Sequence, residues 1–459
     1  MAKAKSNSKK ITLEESLVPV EEQPYEVPEN WCWVKHNSIL DISGGSQPAK
    51  SHFITEPREG YTQLYQTRDY GEHPIPVYIP NKYATKTTCE GDILLARYGG
   101  SLGKVFRAHD GAYNVALTKV IKIYPELIDD EFLYKYYLSQ FYQNFCIKAS
   151  NGRSAQAGFN RDDMNSLPFP LPPLAEQKRI VDQIESLFSK LDEANEKAQE
   201  VIDRIETNIE AILYNAFSGK LTQYWRKENG VDYNWEKSTL SKIVSGLKYG
   251  SSEKSDYNNN GTPVLRIPNI GEGVIDFSDL KYMQGEFENS SHEVFENDIL
   301  IIRSNGSRDL VGKCAIVPAL ERRFAYASFL IRIKASDKVL PNYLVRYINS
   351  SMARGQLFAK AKSSSGIHNI NSKELGSIRI DVPTIEEQTE ILKIIEPLIK
   401  KELDVKDITS NMIENIAELK KSILAKAFRG ELGTNVSSEE NSIELIKKMI
   451  GRDKIERKD

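Results

Sequence analysis

Along two stretches of the chain, apolar residues recur in alternating steps of four and three. The first runs Ile180, Ile184, Leu187, Leu191, Ala194, Ala198, Val201, Ile205 and on to Ile212, with Asn208 at one seam position. The second runs Ile391, Ile395, Leu398, Glu402, Val405, Thr409, Met412, Ile416, Leu419 and Ile423, interrupted by Glu402 and Thr409. This is the spacing of a heptad seam rather than of a broad globular face, so each stretch predicts a long coiled-coil helix. Pro172 and Pro173 precede the first stretch and Pro383 the second, where proline is tolerated at a helix start; Gly219 and Gly430 stand where the helices should end. Helices of about 45 residues would span roughly 65–70 Å. Neither seam can stay wet, so the two helices are expected to pair antiparallel, with Pro397 bending the early part of the second.

The stretches in front of these helices carry another pattern. Short β-type runs (Val77-Tyr78-Ile79, Asp92 to Leu95, Val120 to Ile123, Ile299 to Ile302, Phe329 to Ile333) alternate with clusters of Gly, Asn, Ser and Pro. Tyr and Leu at helical spacing predict a helix after each set of runs, over 132–146 and 342–361. Each front domain therefore reads as α+β, a twisted and mostly antiparallel sheet with helices.

The chain is also written twice. Asp92-Ile93-Leu94-Leu95-Ala96-Arg97 returns 206 residues later as Asp298-Ile299-Leu300-Ile301-Ile302-Arg303, and Gly103-Lys104 returns 209 later as Gly312-Lys313. Leu174-Ala175-Glu176-Gln177 matches Ile385-Glu386-Glu387-Gln388, and Ala216-Phe217-Ser218-Gly219-Lys220-Leu221 matches Ala427-Phe428-Arg429-Gly430-Glu431-Leu432, both at 211; Trp31 matches Trp235 at 204. The offset drifts through the front domains and then holds constant, as expected of loop-rich domains followed by helices whose register matters. The organisation is thus an extension (1–27), a front domain (28–170), a helical segment (171–226), a second front domain (227–382), a second helical segment (383–432) and a tail (433–459). The two front domains are expected to be pseudo-symmetric, and both charged extensions to project toward partners or to stay mobile.

Composition narrows the function. No apolar run reaches the ~18 residues of a membrane span, and the Lys-rich start predicts no secretory leader. Cys32, Cys89, Cys146 and Cys314 stand singly, which fits a reducing cytoplasm and gives no metal-ligand spacing. Ser101 to Val105 imitates a phosphate loop superficially, because Tyr98 replaces its first glycine and Val105 its magnesium-binding hydroxyl. There is no dinucleotide fingerprint, no His-Glu-x-x-His and no Asn-Pro-Pro-aromatic motif. The six histidines are dispersed, and Cys32 with His36 is the one Cys–His proximity. The pattern is that of a recognition protein. The net charge of −3 is an average: residues 28–170 are neutral, 227–382 carry +3, and the helical segments carry −3 and −2. Nucleic-acid binding is compatible with that distribution, as local readout of weak and salt-sensitive affinity when the chain is alone.

Loops at matching places in the two halves combine forked donors, amides and small residues. They nominate Gln66, Thr67 and Arg68, then Arg97, Tyr98, Ser101 and Lys104, then Arg153 in the first half. In the second half they nominate Arg266 and Asn269, then Arg303, Ser304, Asn305, Ser307, Arg308 and Lys313, then Ser365 and His368. Arginine can bond guanine through two donors and Asn or Gln can do so to adenine, while Gly and Ser let backbone approach phosphate.

The order of a variable domain, a Leu171-Pro172-Pro173-Leu174-Ala175-Glu176-Gln177 junction, a long helix ending Ala-Phe-x-Gly-x-Leu, and then all of it again resembles the specificity subunit of type I restriction-modification systems. The resemblance covers roughly residues 28 to 432; the second junction departs from it in having a single proline. It implies two target-recognition domains, each reading one half of an asymmetric, bipartite DNA site, and two helices that set the gap between the halves. It implies two methyltransferase subunits on the outer faces of the helices, and a motor-nuclease subunit where the system cleaves. S-adenosylmethionine, ATP and magnesium would belong to those partners, with no cofactor and no catalysis on this chain. Two rivals remain open at this point: a coiled-coil scaffold without DNA readout, and a chain that itself modifies or cuts DNA.

Overall fold

The computed structural model describes residues 12–151, 158–284, 292–364 and 366–455. The chain forms two compact units, Met1–Glu196 with Met412–Asp459, and Lys197–Asn411. Each unit therefore holds one front domain, the first half of the long helix that follows it, and the last half of the other long helix.

In the first unit, strand Cys32–Lys35 pairs antiparallel with Pro168–Leu171, tying the start of the front domain to its end. Between them lies an antiparallel sheet in the order Leu40–Gly44, Leu117–Lys122, Ile93–Ala96, Val105–Arg107. A second sheet runs Tyr78–Pro80, Tyr61–Tyr65, Gly111–Tyr113, Thr87–Thr88, with its middle pair parallel. The expected single sheet is thus split in two. Ile93–Ala96 shows why: all four residues are buried, and because strand side chains alternate, Ile93 and Leu95 join the core under helices Asp130–Leu138 and Gln140–Asn151 while Leu94 and Ala96 enter a core on the opposite face.

The second unit repeats this plan. Glu236–Thr239 pairs with Arg379–Val382, and the larger sheet runs Val244–Tyr249, Leu330–Ala335, Ile299–Ile302, Cys314–Ile316, Gly273–Val274. The smaller runs Ser255–Asp256, Lys281–Met283, Thr262–Leu265, Ala325–Tyr326, and a three-stranded ribbon joins Ser304–Asn305, Ile367–Asn369 and Lys362–Ser364. Ile299 and Ile301 face the helical core, Leu300 and Ile302 the other. The turn before each buried strand needs a left-handed residue, Gly91 at φ 83° in one unit and Asn297 at φ 69° in the other. Asparagine is among the few side chains that tolerate this region.

The long helices are Leu174–Phe217 and Ile385–Phe428, 44 residues each. They begin directly after the prolines, and the second continues through Pro397. The helices run antiparallel within each unit: Asp192 meets Lys420 in the first, and Glu206 meets Lys406 (3.5 Å) while Asn208 bonds Glu402 (3.3 Å) in the second. Asn208 and Glu402, two polar breaks in the predicted seams, therefore satisfy each other. The seam itself differs from the strict heptad. Ile391, Ile395, Ile399 and Ile416 are buried, whereas Val201, Leu398, Val405, Met412 and Leu419 are exposed. The front-domain core beside each helix start demands a face of steps of four, so the buried stripe leaves the 3.5-residue repeat.

The described parts of both extensions are packed, not projecting. Helix Leu13–Ser16 is closed by a capping box at Thr12, and Leu13 and Leu17 lie on the first unit's core. Helix Ser442–Ile455 buries Ile446 in the same core, and the Ser442 amide donates to the Asn30 carbonyl at 3.0 Å.

Candidate nucleic-acid interface

Each interface is built on a junction that fixes the front domain to its helix. The Trp31 indole donates to Glu176 Oε2 at 2.7 Å, and the Trp235 indole to Glu387 Oε2 at 3.0 Å. Gln177 accepts from the Asp129 amide and donates to the Leu127 and Pro172 carbonyls; Gln388 accepts from the Leu340 amide and donates to those of Lys338 and Pro383. The repeated Glu-Gln pair is therefore a clamp that spends every bond on the chain itself. The second carboxylate oxygen of Glu387 takes Thr222 and the buried guanidinium of Arg226, whereas Glu176 takes Asn435 (2.7 Å) and burial pushes its carboxyl above the usual range.

At the far end of the buried strands, both units present one backbone frame. Arg97 N–H donates to the Ala116 carbonyl and Arg303 N–H to that of Phe329; the Arg97 carbonyl accepts from Phe159 and that of Arg303 from Ile370. Tyr113 and Tyr326 are buried beneath the rim, their hydroxyls donating to the carbonyls of Ser43 (3.0 Å) and of Lys248 and Tyr249. Gly45 and Gly250 close the frame, because a Cβ there would lie 2.1 and 2.3 Å from the Asn114 and Tyr326 carbonyl oxygens. These tyrosines and glycines escaped the sequence reading; the recurrence of Ala-Tyr-x-x-x-Leu (Ala112 to Leu117, Ala325 to Leu330) and of Gly45-Ser46 as Gly250-Ser251 was the signal for them.

In the second unit the second and third loops meet on this rim, and in the first the second loop meets Gly158 there. Arg97 lies over the Tyr98 ring at 4.4 Å and donates to its hydroxyl, Tyr98 bridges to Gly158, and burial pushes the guanidinium below its usual range. Ser101 sits in the short turn Gly99–Ser101, and Lys104 is exposed just beyond it. Arg303 lies over the Tyr249 ring at 4.8 Å, and Ser304 and Asn305 pair with Asn369 and His368. Ser307 is held by Asn305 Oδ1 at 2.7 Å, and Arg308 is exposed over Phe358. Arg153 and Ser365 lie outside the described residues.

The first loops are matching one-turn elements. The Gln66 amide donates to Asp69 and the Arg266 amide to Asn269, both at 2.8 Å. Thr67 is half-buried and Arg68 exposed. Arg266 and Asn269 depart from the expectation of free donors: Arg266 is paired with Asp279 at 2.9 Å, and Asn269 is fully buried with its amide donating to the Asp276 and Asp279 carbonyls. They organise the loop. Lys313 departs as well, since it lines a cavity of about 330 Å³ with Glu206, Ile209 and Ile399 on the helix side of the second unit. Among the described residues, no helix is long and apolar enough to cross a membrane.

Comparison with known proteins agrees with the duplicated plan. Residues 28–204 and 233–415 each match the family described as the type I restriction modification DNA specificity domain. The chain is 27% identical to the EcoKI specificity subunit of Escherichia coli K12 (92% of this chain, 96% of that one) and 25% identical to the StySPI specificity subunit of Salmonella potsdam (89% and 90%). Among solved structures, a chain from work on complex assembly and conformational transition of the type I R-M system shares the fold at TM-score 0.68 and 21% identity, over 89% of this chain and 100% of that one.

Proposed function

The chain belongs to the type I restriction modification DNA specificity family, and we propose that it reads DNA sequence for a type I restriction-modification complex, one half of a bipartite asymmetric site per unit. One observation carries this reading: a single rim frame is built twice and furnished differently. Tyr98 stands where the second unit has Ser304, Ala116 where it has Phe329, and Gly158 where it has Asn369. Two frames make two half-sites, and different side chains make them unequal. The long helices serve as the spacer. Leu398 and Val405 in the second unit, and Met412 and Leu419 in the first, are each exposed seven residues apart and suit the helices of methyltransferase subunits, two of which would join this chain. The chain itself catalyses nothing, works in the cytoplasm, and leaves S-adenosylmethionine, ATP and magnesium to the methyltransferase and motor-nuclease partners.

The test is methylome sequencing of a host carrying the intact system and of the same host lacking this chain. A bipartite motif with unequal halves should be methylated only in the first. An unchanged methylome, or an assembled complex that shifts all duplexes equally in gel competition, would overturn the reading in favour of a scaffold. Methyl transfer by the purified chain alone would overturn its non-catalytic role.

A further inference from the structure

The two rim arginines share a frame but not a cradle. Arg303 stacks on Tyr249 at 4.8 Å, donates from Nη1 to the Ser328 carbonyl at 3.3 Å, and donates from Nη2 to Asn369 Oδ1 at 3.2 Å. Counting from the matched glycines and carbonyls, the first unit has Gly44 and Gly158 where the second has Tyr249 and Asn369, and neither glycine has a ring or an amide to hold a guanidinium in this way. Arg97 rests instead on its own neighbour Tyr98.

We propose, on the footing of the DNA-reading function above, that Arg303 reads a guanine from the major groove and that Tyr249 and Asn369 are the positioning residues that fix this specificity. A guanidinium carries five N–H donors in a planar fork. The contacts to Ser328 and Asn369 take one donor from each terminal nitrogen and leave a second on each. Guanine offers two neighbouring acceptors, O6 and N7, in the major groove; adenine offers an acceptor beside a donor and is refused by such a fork. The tyrosine face holds the plane of the guanidinium without consuming a donor. The Tyr249 hydroxyl is itself anchored by the Ser372 amide at 2.8 Å, so the cradle stands before DNA arrives. Exposed Phe329 and Ile367 lie beside it on the same rim and can shield the contact from water.

The experiment uses the complex assembled with its methyltransferase and the duplex defined by the methylome. Each guanine of the site is replaced in turn by 7-deazaguanine, which keeps base pairing and removes N7. One replacement should weaken wild-type binding about tenfold, and Arg303→Met, which keeps the apolar stem but has no donor, should bind both duplexes alike; Arg97→Met should leave that guanine's effect in place. Tyr249→Leu and Asn369→Leu should lower discrimination between guanine and adenine at that position at least fivefold, and Tyr249→Phe should restore it. The inference is overturned if no guanine responds, or if the response survives Arg303→Met. In either case continued site-specific methylation by the wild-type complex would leave the DNA-reading function standing, whereas loss of all sequence preference would remove both.

Discussion

Single residues set the stability of each unit. Glu387 and Arg226 are buried together, and either without the other is a desolvated charge. Arg226→Met should therefore cost the second unit about 3–5 kcal/mol, measured by denaturant unfolding. Its nearest counterpart, Arg179 with Glu439, is partly exposed, and Arg179→Met should cost no more than about 1 kcal/mol. The recurrence of Trp31, Trp235 and the Glu-Gln pairs was legible in the sequence. That tryptophan and glutamate are partners was not, since 145 and 152 residues separate them. His36 carries a second prediction. It is fully buried against the Tyr137 hydroxyl at 2.7 Å, and burial lowers its pKa to about 3. The unfolded chain binds a proton near pH 6.5 that the fold refuses, so stability falls as pH drops from 6.5 toward 3, at up to about 1.4 kcal/mol per pH unit. The frame places Leu240 at the matching point of the second unit. His36→Leu with Tyr137→Phe should thus remove about 2 kcal/mol of difference between unfolding at pH 6.5 and pH 5.

At the scale of elements, the long helices show what periodicity can and cannot tell. Repeats of four and three gave their existence, their start after proline and their antiparallel pairing. They gave the inward face only in part (Ile180, Ile184, Ala198, Ile205, Ile391, Ile395 and Ile416 are buried), because a heptad stripe looks the same whether it meets the other helix of this chain or a separate protein. Leu398, Val405, Met412 and Leu419 were assigned to the seam and are exposed, Leu398 one position away from the buried Ile399. This misplacement yields a clean separation. Val405→Glu with Met412→Glu should change the unfolding free energy of the chain alone by no more than about 0.5 kcal/mol per site, since both positions are solvated. Co-purification with the methyltransferase should nevertheless be lost. Ile395→Glu, at a fully buried position, should instead unfold the second unit, visible as loss of its cooperative thermal transition.

For the whole molecule, the duplication was the feature most fully readable, because it is a property of spacing. The rim was readable only as loops: Arg97 and Arg303 were nominated from them, while Tyr249, Asn369 and Phe329 were not, since their neighbourhood is created by strands far apart in sequence. Buried repeated positions hold the frame, and rim positions are free to vary. A domain exchange tests that division directly. The ends of the first front domain are tied by Cys32–Lys35 with Pro168–Leu171, and the domain is fastened to its helix by Trp31, Glu176 and Gln177. A relative's domain grafted between residues 36 and 167 keeps the strand pairing and the Trp31–Glu176 bond, and its own backbone supplies the partners of Gln177 that Leu127 and Asp129 provide here, so it should fold and assemble. Its methylome should show one half of the motif replaced and the other intact, because the second unit's rim is untouched. The same graft with Trp31→Phe leaves the buried Glu176 without its indole donor and should lower the unfolding free energy of the first unit by about 1–3 kcal/mol. Since the rim of the graft is unchanged, that variant should still methylate the same new motif, at a level that follows the fraction folded. A change in the motif itself would show that the junction, and not the rim alone, takes part in reading sequence.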